Sequence, residues 1–446
     1  MIPGQSAGSG GSGGGGSGKR RRPPRRCDER DSDTEEDVMD LPTPRPSGIR
    51  LVLQTFNTDL VEGHMRHPLG SALAAAYAYE SRWPTLVRLL LVRGADVLCL
   101  QEVCEAAAKS GSAFRLALAA GGYALAAQAY NPLVVVPRQN RGEHPTGDEG
   151  AVATKPSLTA KCFVQLWVRA RAGHLELVQR PPGKKGSWEA ASQGAHGVAG
   201  ASVLALVRVQ GRHLVGLAGV HLQWGGEPTL FLKAEALLLA EGVPGNFGMR
   251  EEFKGEVMRE RPGDRYVSGQ LIRRLQAAAL PYALERMLRE QGLQQDPRGF
   301  FSPCIILGDT NFRPLSKEPA AAGGPDEACH LCGPPWEEAP AALARATYPF
   351  NASWNEWYLP RYDRVLVRSF HSFFTRLSQD TIDARLRSMP GVTWESVRGA
   401  LCEARPVKHA VLRMLGDAAA PALLQGRRLS DHYGVAVCVE FRLPTG

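Results

Sequence analysis

The chain has 446 residues, 43% of them hydrophobic, and carries a formal net charge of +8. That is ample apolar material for a sizeable core, and the basic balance favours a polyanionic partner such as nucleic acid, a phosphoinositide or an acidic membrane face. No apolar run is long enough to cross a bilayer and the glycine–serine start has no apolar leader, so neither a transmembrane helix nor a secretory signal is expected.

Residues 1–47 read as a disordered tail. Gly4 to Gly18 is almost pure glycine and serine, a flexible coil. Lys19 to Arg26 then places six cations in eight residues, and Asp28 to Asp40 carries eight carboxylates. Blocks of like charge repel themselves and bury nothing. The basic block reads as a nuclear localisation signal, and the expected location is the nucleus.

One folded domain is expected over 48–446, alternating strands with helices. Strands are predicted at Ile49 to Leu53, Asp96 to Leu100, Cys162 to Val168, Ser202 to Val209, Leu214 to Leu222, Cys304 to Leu307, Tyr362 to Val367 and Val435 to Phe441. Helical spacing covers Ser71 to Val92, with a division expected at Pro84, and Ser268 to Gln291, with a kink or break expected at Pro281. Leu86, Val87, Leu90 and Leu91 form an apolar stripe on the piece that follows Pro84. Irregular insertions are expected near 136–155, 180–200, 225–267 and 314–343. Nine scattered cysteines, several in predicted strands, suit a reduced intracellular protein with buried thiols. Cys329 and Cys332 form a CxxC without a second pair, so no structural zinc is expected.

Four polar islands lie at strand boundaries: Thr55-Phe56-Asn57, Gln101-Glu102-Val103, Gly308-Asp309-Thr310-Asn311 and Ser430-Asp431-His432. Hydrolysis of a phosphoester needs carboxylates for a hard cation, a base for water and donors for developing charge. Glu102, ending an apolar strand, is well placed for a cation. Asp309 and Asn311 lie two apart and share a side if the strand continues. Asp363 is a buried-strand carboxylate in need of a partner, and His432 is the expected one. His221 ends another strand.

In their order, TFN, LQEV, the strand-terminal histidine, GDxN, the Asp-Arg strand and SDH resemble the endonuclease/exonuclease/phosphatase superfamily, over roughly Gly48 to Leu443. The resemblance implies an α/β fold, a two-sheet α/β sandwich, and Mg²⁺-dependent hydrolysis, with Mn²⁺ as an alternative ion. It implies Glu102 as the principal metal ligand, with Asn57 beside the metal and Asp431 assisting. Asp309 would align or deprotonate water, His221 and Asn311 would contact phosphate, and His432, oriented by Asp363, would stabilise the transition state.

Gly308 to Arg313, Arg361 to Arg364 and Ser430 to Gly434 further resemble the tyrosyl-DNA phosphodiesterase 2-like branch, which removes tyrosine from DNA 5′ ends. That implies DNA ends as the partner and a role in DNA repair; a monomer with no membrane association is expected. Arg313, Arg364, Trp354 and Trp224 are then the expected substrate contacts. His221-Leu222-Gln223-Trp224 is similar instead to the CCR4-type deadenylases, and Thr347 to Phe350 with Asp363-Arg364 to inositol polyphosphate 5-phosphatases. An inactive binding module is the alternative outside enzymology.

Overall fold

Alternation along the strands sorts side chains into two faces. Leu51 and Leu53, Val97 and Cys99, Val215 and Leu217, Ile305 and Leu307, Val365 and Val367, and Val435 and Val437 all enter one buried cluster. Each such side chain contributes about 1.5–3 kcal/mol on burial. The cluster draws on two sheets, so it is the layer between them.

The computed structural model describes residues 48–60, 76, 78–134, 159–170, 174–178, 201–222, 302–312, 336–338, 362–369, 386–387, 393, 402–430 and 432–442, with scattered positions from 273 to 288. The chain divides into Met1–Asp40 and Leu41–Gly446. The first unit, three of the expected insertions, most of the fourth, and the CxxC lie outside the described residues.

The strands are β1 (Gly48–Asn57), β2 (Val97–Cys104), β3 (Tyr123–Val134), β4 (Thr159–Arg169), β5 (Leu175–Leu177), β6 (Ala201–Val209), β7 (His213–His221), β8 (Cys304–Asp309), β9 (Asp363–Arg368), β10 (Glu403–Leu412) and β11 (Gly434–Arg442). The first sheet runs β10-β11-β1-β2-β4-β3 and the second β5-β6-β7-β8-β9. Only β1–β2 and β7–β8 are parallel pairs among the described strands. A parallel pair needs a crossover. Helix α1 (Tyr79–Arg93) lies between β1 and β2, and helical positions from 273 to 288 lie between β7 and β8. Ala277, Leu280, Leu284 and Met287 from that second crossover pack with Leu206, Ala218, Ile306 and Leu366 on the outer face of the second sheet.

The first proline does not divide its helix. Pro84 sits inside a continuous α1. Pro84 lacks the N–H that would bond the Glu80 carbonyl, and both residues are exposed, so the loss falls on the solvent side of the helix. Pro281 takes helical backbone, with helical positions on both sides. The helix α1 ends at Gly94, whose φ of +63° suits a left-handed cap. Two short helices follow β2: α2 (Glu105–Ala108) and α3 (Ala113–Ala120), the latter capped where Ser112 Oγ accepts from Arg115 N–H at 3.3 Å.

Candidate active site at the joined strand ends

Each parallel pair delivers two of the expected residues at its C-terminal end. In the first sheet Asn57 closes β1 and Glu102 lies near the end of β2, one residue beyond the Asn57–Gln101 register pair. In the second sheet His221 closes β7 in register with Asp309, which closes β8. Asp363 opens β9 opposite Asp309, and His432 stands two residues before β11, which pairs with β1. Six residues from distant parts of the chain therefore meet at one end of the two sheets.

Strict alternation would turn Glu102 away from this meeting point, because Val97 and Cys99 point inward. A bulge corrects it. Between Leu100 and Val103 the β2–β4 register shifts, so Gln101 and Glu102 together face one residue of β4. Glu102 takes a φ of +52° there, and its side chain joins Gln101 on the inner side. Gln101 is held by Thr55 Oγ, which accepts from its amide at 3.0 Å.

Asp309 is the hub. Its Oδ2 accepts from Asn57 Nδ2 at 3.2 Å, and lies 3.7 Å from His221 Nε2 and 3.8 Å from His432 Nε2. Its Oδ1 accepts from the Asn311 N–H at 2.9 Å. Glu102 Oε1 shares two of the same neighbours, Asn57 Nδ2 at 3.1 Å and His221 Nε2 at 3.6 Å. His432 Nδ1 lies 2.8 Å from Asp363 Oδ2. An ionised carboxylate only accepts, so Nδ1 carries the proton in that pair. Glu102, Asp309, Asp363, His221 and His432 are all buried, none more than 7% exposed.

The pairing of β8 with β7 explains the glycine before Asp309. Gly308 has a φ of +148°, and a Cβ there would stand 2.0 Å from the Val220 carbonyl oxygen. Only glycine lets β8 approach β7 this closely. Beyond Asp309 the strand geometry does not continue: Asn311 has a φ of +50°. Asn311 Nδ2 instead donates to the Leu222 carbonyl at 2.9 Å, tying the ends of β7 and β8 together. Thr310 Oγ donates to the Tyr362 carbonyl at 2.8 Å, beside Asp363.

The donor chemistry fits a divalent metal. Two buried carboxylates share one amide and one imidazole, a grouping of anionic oxygen that suits a hard cation. Asp309, Asp363 and His432 also offer ligand atoms within 4.8 Å of one another. Of these, the Asp363 oxygen and His432 Nδ1 already engage each other, so the Glu102–Asp309 side is where an ion meets carboxylate oxygen without breaking that pair.

Arg364, expected on the substrate, points elsewhere. It follows Asp363 in an extended strand, so its side chain takes the outer face. There its Nη1 is 3.7 Å from Glu338 Oε2 and its guanidinium lies 5.8 Å from the Phe312 ring centroid. Asp431, Arg313, Trp354 and Trp224 lie outside the described residues. Sequence reasoning passed over Arg82 and the linking part played by Ser430. Ser430 Oγ donates to the Asn57 carbonyl at 2.7 Å and accepts from the His432 N–H at 3.1 Å. Arg82 carries a readable signal: it falls on the same helical stripe as Tyr79, Leu86 and Leu90, where a cation is out of place.

The Endonuclease/Exonuclease/phosphatase family profile matches residues 74–432. No curated protein matches the chain. Similar solved structures include a humanized D. rerio TDP2, 15% identical over 87% of this chain and 98% of its own, with a TM-score of 0.38. ANGEL2, described as a 2′,3′-cyclic phosphatase, is 12% identical over 88% of this chain and 95% of its own, with a TM-score of 0.39. The human nocturnin catalytic domain is 12% identical over 89% and 94%, with a TM-score of 0.38.

Proposed function

The chain belongs to the endonuclease/exonuclease/phosphatase family of metal-dependent phosphoesterases, and we propose that it hydrolyses phosphodiesters at nucleic-acid ends, with 5′-tyrosyl DNA adducts as the lead substrate. The observation that carries a phosphoesterase reading is the convergence of three nitrogens on Asp309 Oδ2, with the Asp363–His432 pair beside it. The choice of DNA ends is supported by the sequence Gly308 to Arg313, Arg361 to Arg364 and Ser430 to Gly434, and by the basic block Lys19 to Arg26. That block is also the basis for a nuclear location.

In this reading Glu102 would hold the ion with Asn57 beside it, Mg²⁺ with Mn²⁺ as the alternative. Bound there, such an ion would supply neutralisation of charge on a phosphoryl oxygen. Asp309 Oδ2 orients the attacking water and takes its proton, while the Asn311 N–H fixes the other carboxylate oxygen. His221 and His432 direct Nε2 toward the phosphate. Asp363 accepts from His432 Nδ1 and sets the ring plane, so that an imidazolium Nε2–H meets the developing negative charge. The fixed groups need little rearrangement, because bulge, turn and strand ends already aim them.

The test is a 3′-labelled oligonucleotide with a 5′-phosphotyrosyl end, incubated with the protein and Mg²⁺. Conversion to a 5′-phosphate end is expected. An intact adduct with 3′ shortening would reassign the protein to the exonuclease reading that His221-Leu222-Gln223-Trp224 suggests. Binding without any cleavage would favour the binding-module alternative.

A further inference from the structure

We infer that Arg82 is a positioning residue for the site, a buried clamp that fixes the distance between the Asn57 strand end and the His432 loop. Arg82 lies in the first turn of α1 and is only 2% exposed. Its Nη1 donates to the Leu429 carbonyl at 2.8 Å, and its Nη2 donates to the Asp59 carbonyl. Nη1 also stands 4.0 Å from Asp59 Oδ2. Asp59 lies two residues past Asn57, and Leu429 three before His432. One planar fork therefore joins the two segments that carry working groups from opposite sides of the chain.

A buried guanidinium is costly unless its donors are met, and here Nη1 and Nη2 reach main-chain oxygens at two sites, with the Asp59 carboxylate beside Nη1. Asp59 takes a φ of +43°, an uncommon conformation for a non-glycine residue, while its carbonyl reaches Arg82. The clamp runs parallel to the Ser430 link, which joins the Asn57 carbonyl to the His432 N–H. Two rungs resist shear where one would act as a hinge. On the same helix Arg88 also reaches this loop, at Asp417, but that pair is exposed and contributes little. The planar fork is the part that cannot be exchanged: a lysine ammonium offers no fixed pair of donors at that spacing.

The inference rests on the reading of Asn57 and His432 as working groups, and the experiment separates the two. Arg82→Lys, Arg82→Met and the control Arg88→Met are compared with the wild type. Turnover of the phosphodiester substrate is measured with Mg²⁺, and the downfield Nδ1–H proton of His432 is followed by NMR in ¹⁵N-histidine protein. That resonance is assigned by its loss in His432→Ala. Arg82→Lys is expected to lower kcat at least tenfold with KM within twofold of wild type, and to shift or broaden the His432 signal. Arg88→Met is expected to leave both unchanged. A wild-type kcat and an unmoved His432 resonance in Arg82→Lys would overturn the inference. Should the wild type itself cleave nothing, the functional reading falls and the resonance alone decides the clamp. Should Arg82→Met fail to fold, Arg82→Lys carries the comparison.

Discussion

His432 bridges two carboxylates of the second sheet from a loop that leads into the first: its Nδ1 lies 2.8 Å from Asp363 Oδ2 and its Nε2 lies 3.8 Å from Asp309 Oδ2. The imidazole is thus oriented by one aspartate and presented to the other. Replacing Asp363 with Asn offers Nδ1 an amide that can donate, which reverses the tautomer and leaves Nε2 protonated in the resting ring without a counter-charge behind it. Steady-state kinetics of Asp363→Asn should show kcat lower by on the order of 10² to 10⁴ with little change in KM. An unaltered kcat would detach Asp363 from the chemistry.

Asn57 separates two buried carboxylates with a single amide, 3.1 Å from Glu102 Oε1 and 3.2 Å from Asp309 Oδ2. Asn57→Asp turns both attractive contacts into repulsions in a site shielded from water. Stability should fall by about 2–4 kcal/mol in EDTA. Mg²⁺ should then raise the melting temperature of the variant more than that of the wild type, since the added ion relieves the extra charge. Thermal unfolding with and without Mg²⁺ checks this, and equal melting temperatures in EDTA would contradict it.

Gly308 tests the fold behind the site. A methyl at this position meets the Val220 carbonyl at 2.0 Å and requires a φ of +148°, which side chains rarely adopt. Gly308→Ala should cost about 3 kcal/mol or more in chemical denaturation. A loss under about 1 kcal/mol would mean that β7 and β8 separate easily there, a point of weakness rather than of fixed aim.

How much of this was legible in the chain depends on which geometry each residue obeys. Asp309, His221 and Asp363 follow period two from their strands, and their common edge could be read directly. Arg364 obeys the same rule and so belongs on the opposite face, a consequence that its place in the Asp-Arg motif obscured. Glu102 breaks the rule: its inward turn depends on a bulge against β4, and register between strands far apart in sequence leaves no local mark. Arg82 was readable as a cation on an apolar stripe, but its acceptors are backbone carbonyls, which any residue supplies. Strand β10 escaped notice because Pro406 argues against a strand interior. It is tolerated on the sheet edge, where the register with β11 shifts between Pro406 and Lys408.

The buried thiols give a prediction at high pH. Burial pushes Cys99 from its ordinary value of 9.0 up to about 12, and Cys402 likewise to about 12; Cys304 and Cys438 are raised as well. In the unfolded chain these thiols ionise near 9, so the native state then holds more protons. Their contribution to stability is complete below pH 9 and is lost as pH rises toward 12. Denaturation midpoints should stay free of this loss below pH 9 and fall above it. Of nine cysteines, six are buried in the fold, so no more than the remaining three, Cys27, Cys329 and Cys332, should react with a thiol reagent at pH 8 before unfolding. Rapid labelling of a fourth would contradict the packing of the strands.

The central claim is that the residues gathered around Asp309 form one metal-dependent hydrolytic site. The most direct measurement is single-turnover hydrolysis of the 5′-phosphotyrosyl oligonucleotide by the wild type and by Asp309→Asn, each in EDTA and in Mg²⁺. The wild type should be inactive in EDTA and recover with Mg²⁺, and Asp309→Asn should be slower by on the order of 10³ or more while remaining folded. Hydrolysis that ignores EDTA, or an Asp309→Asn variant that turns over at the wild-type rate, would contradict the account.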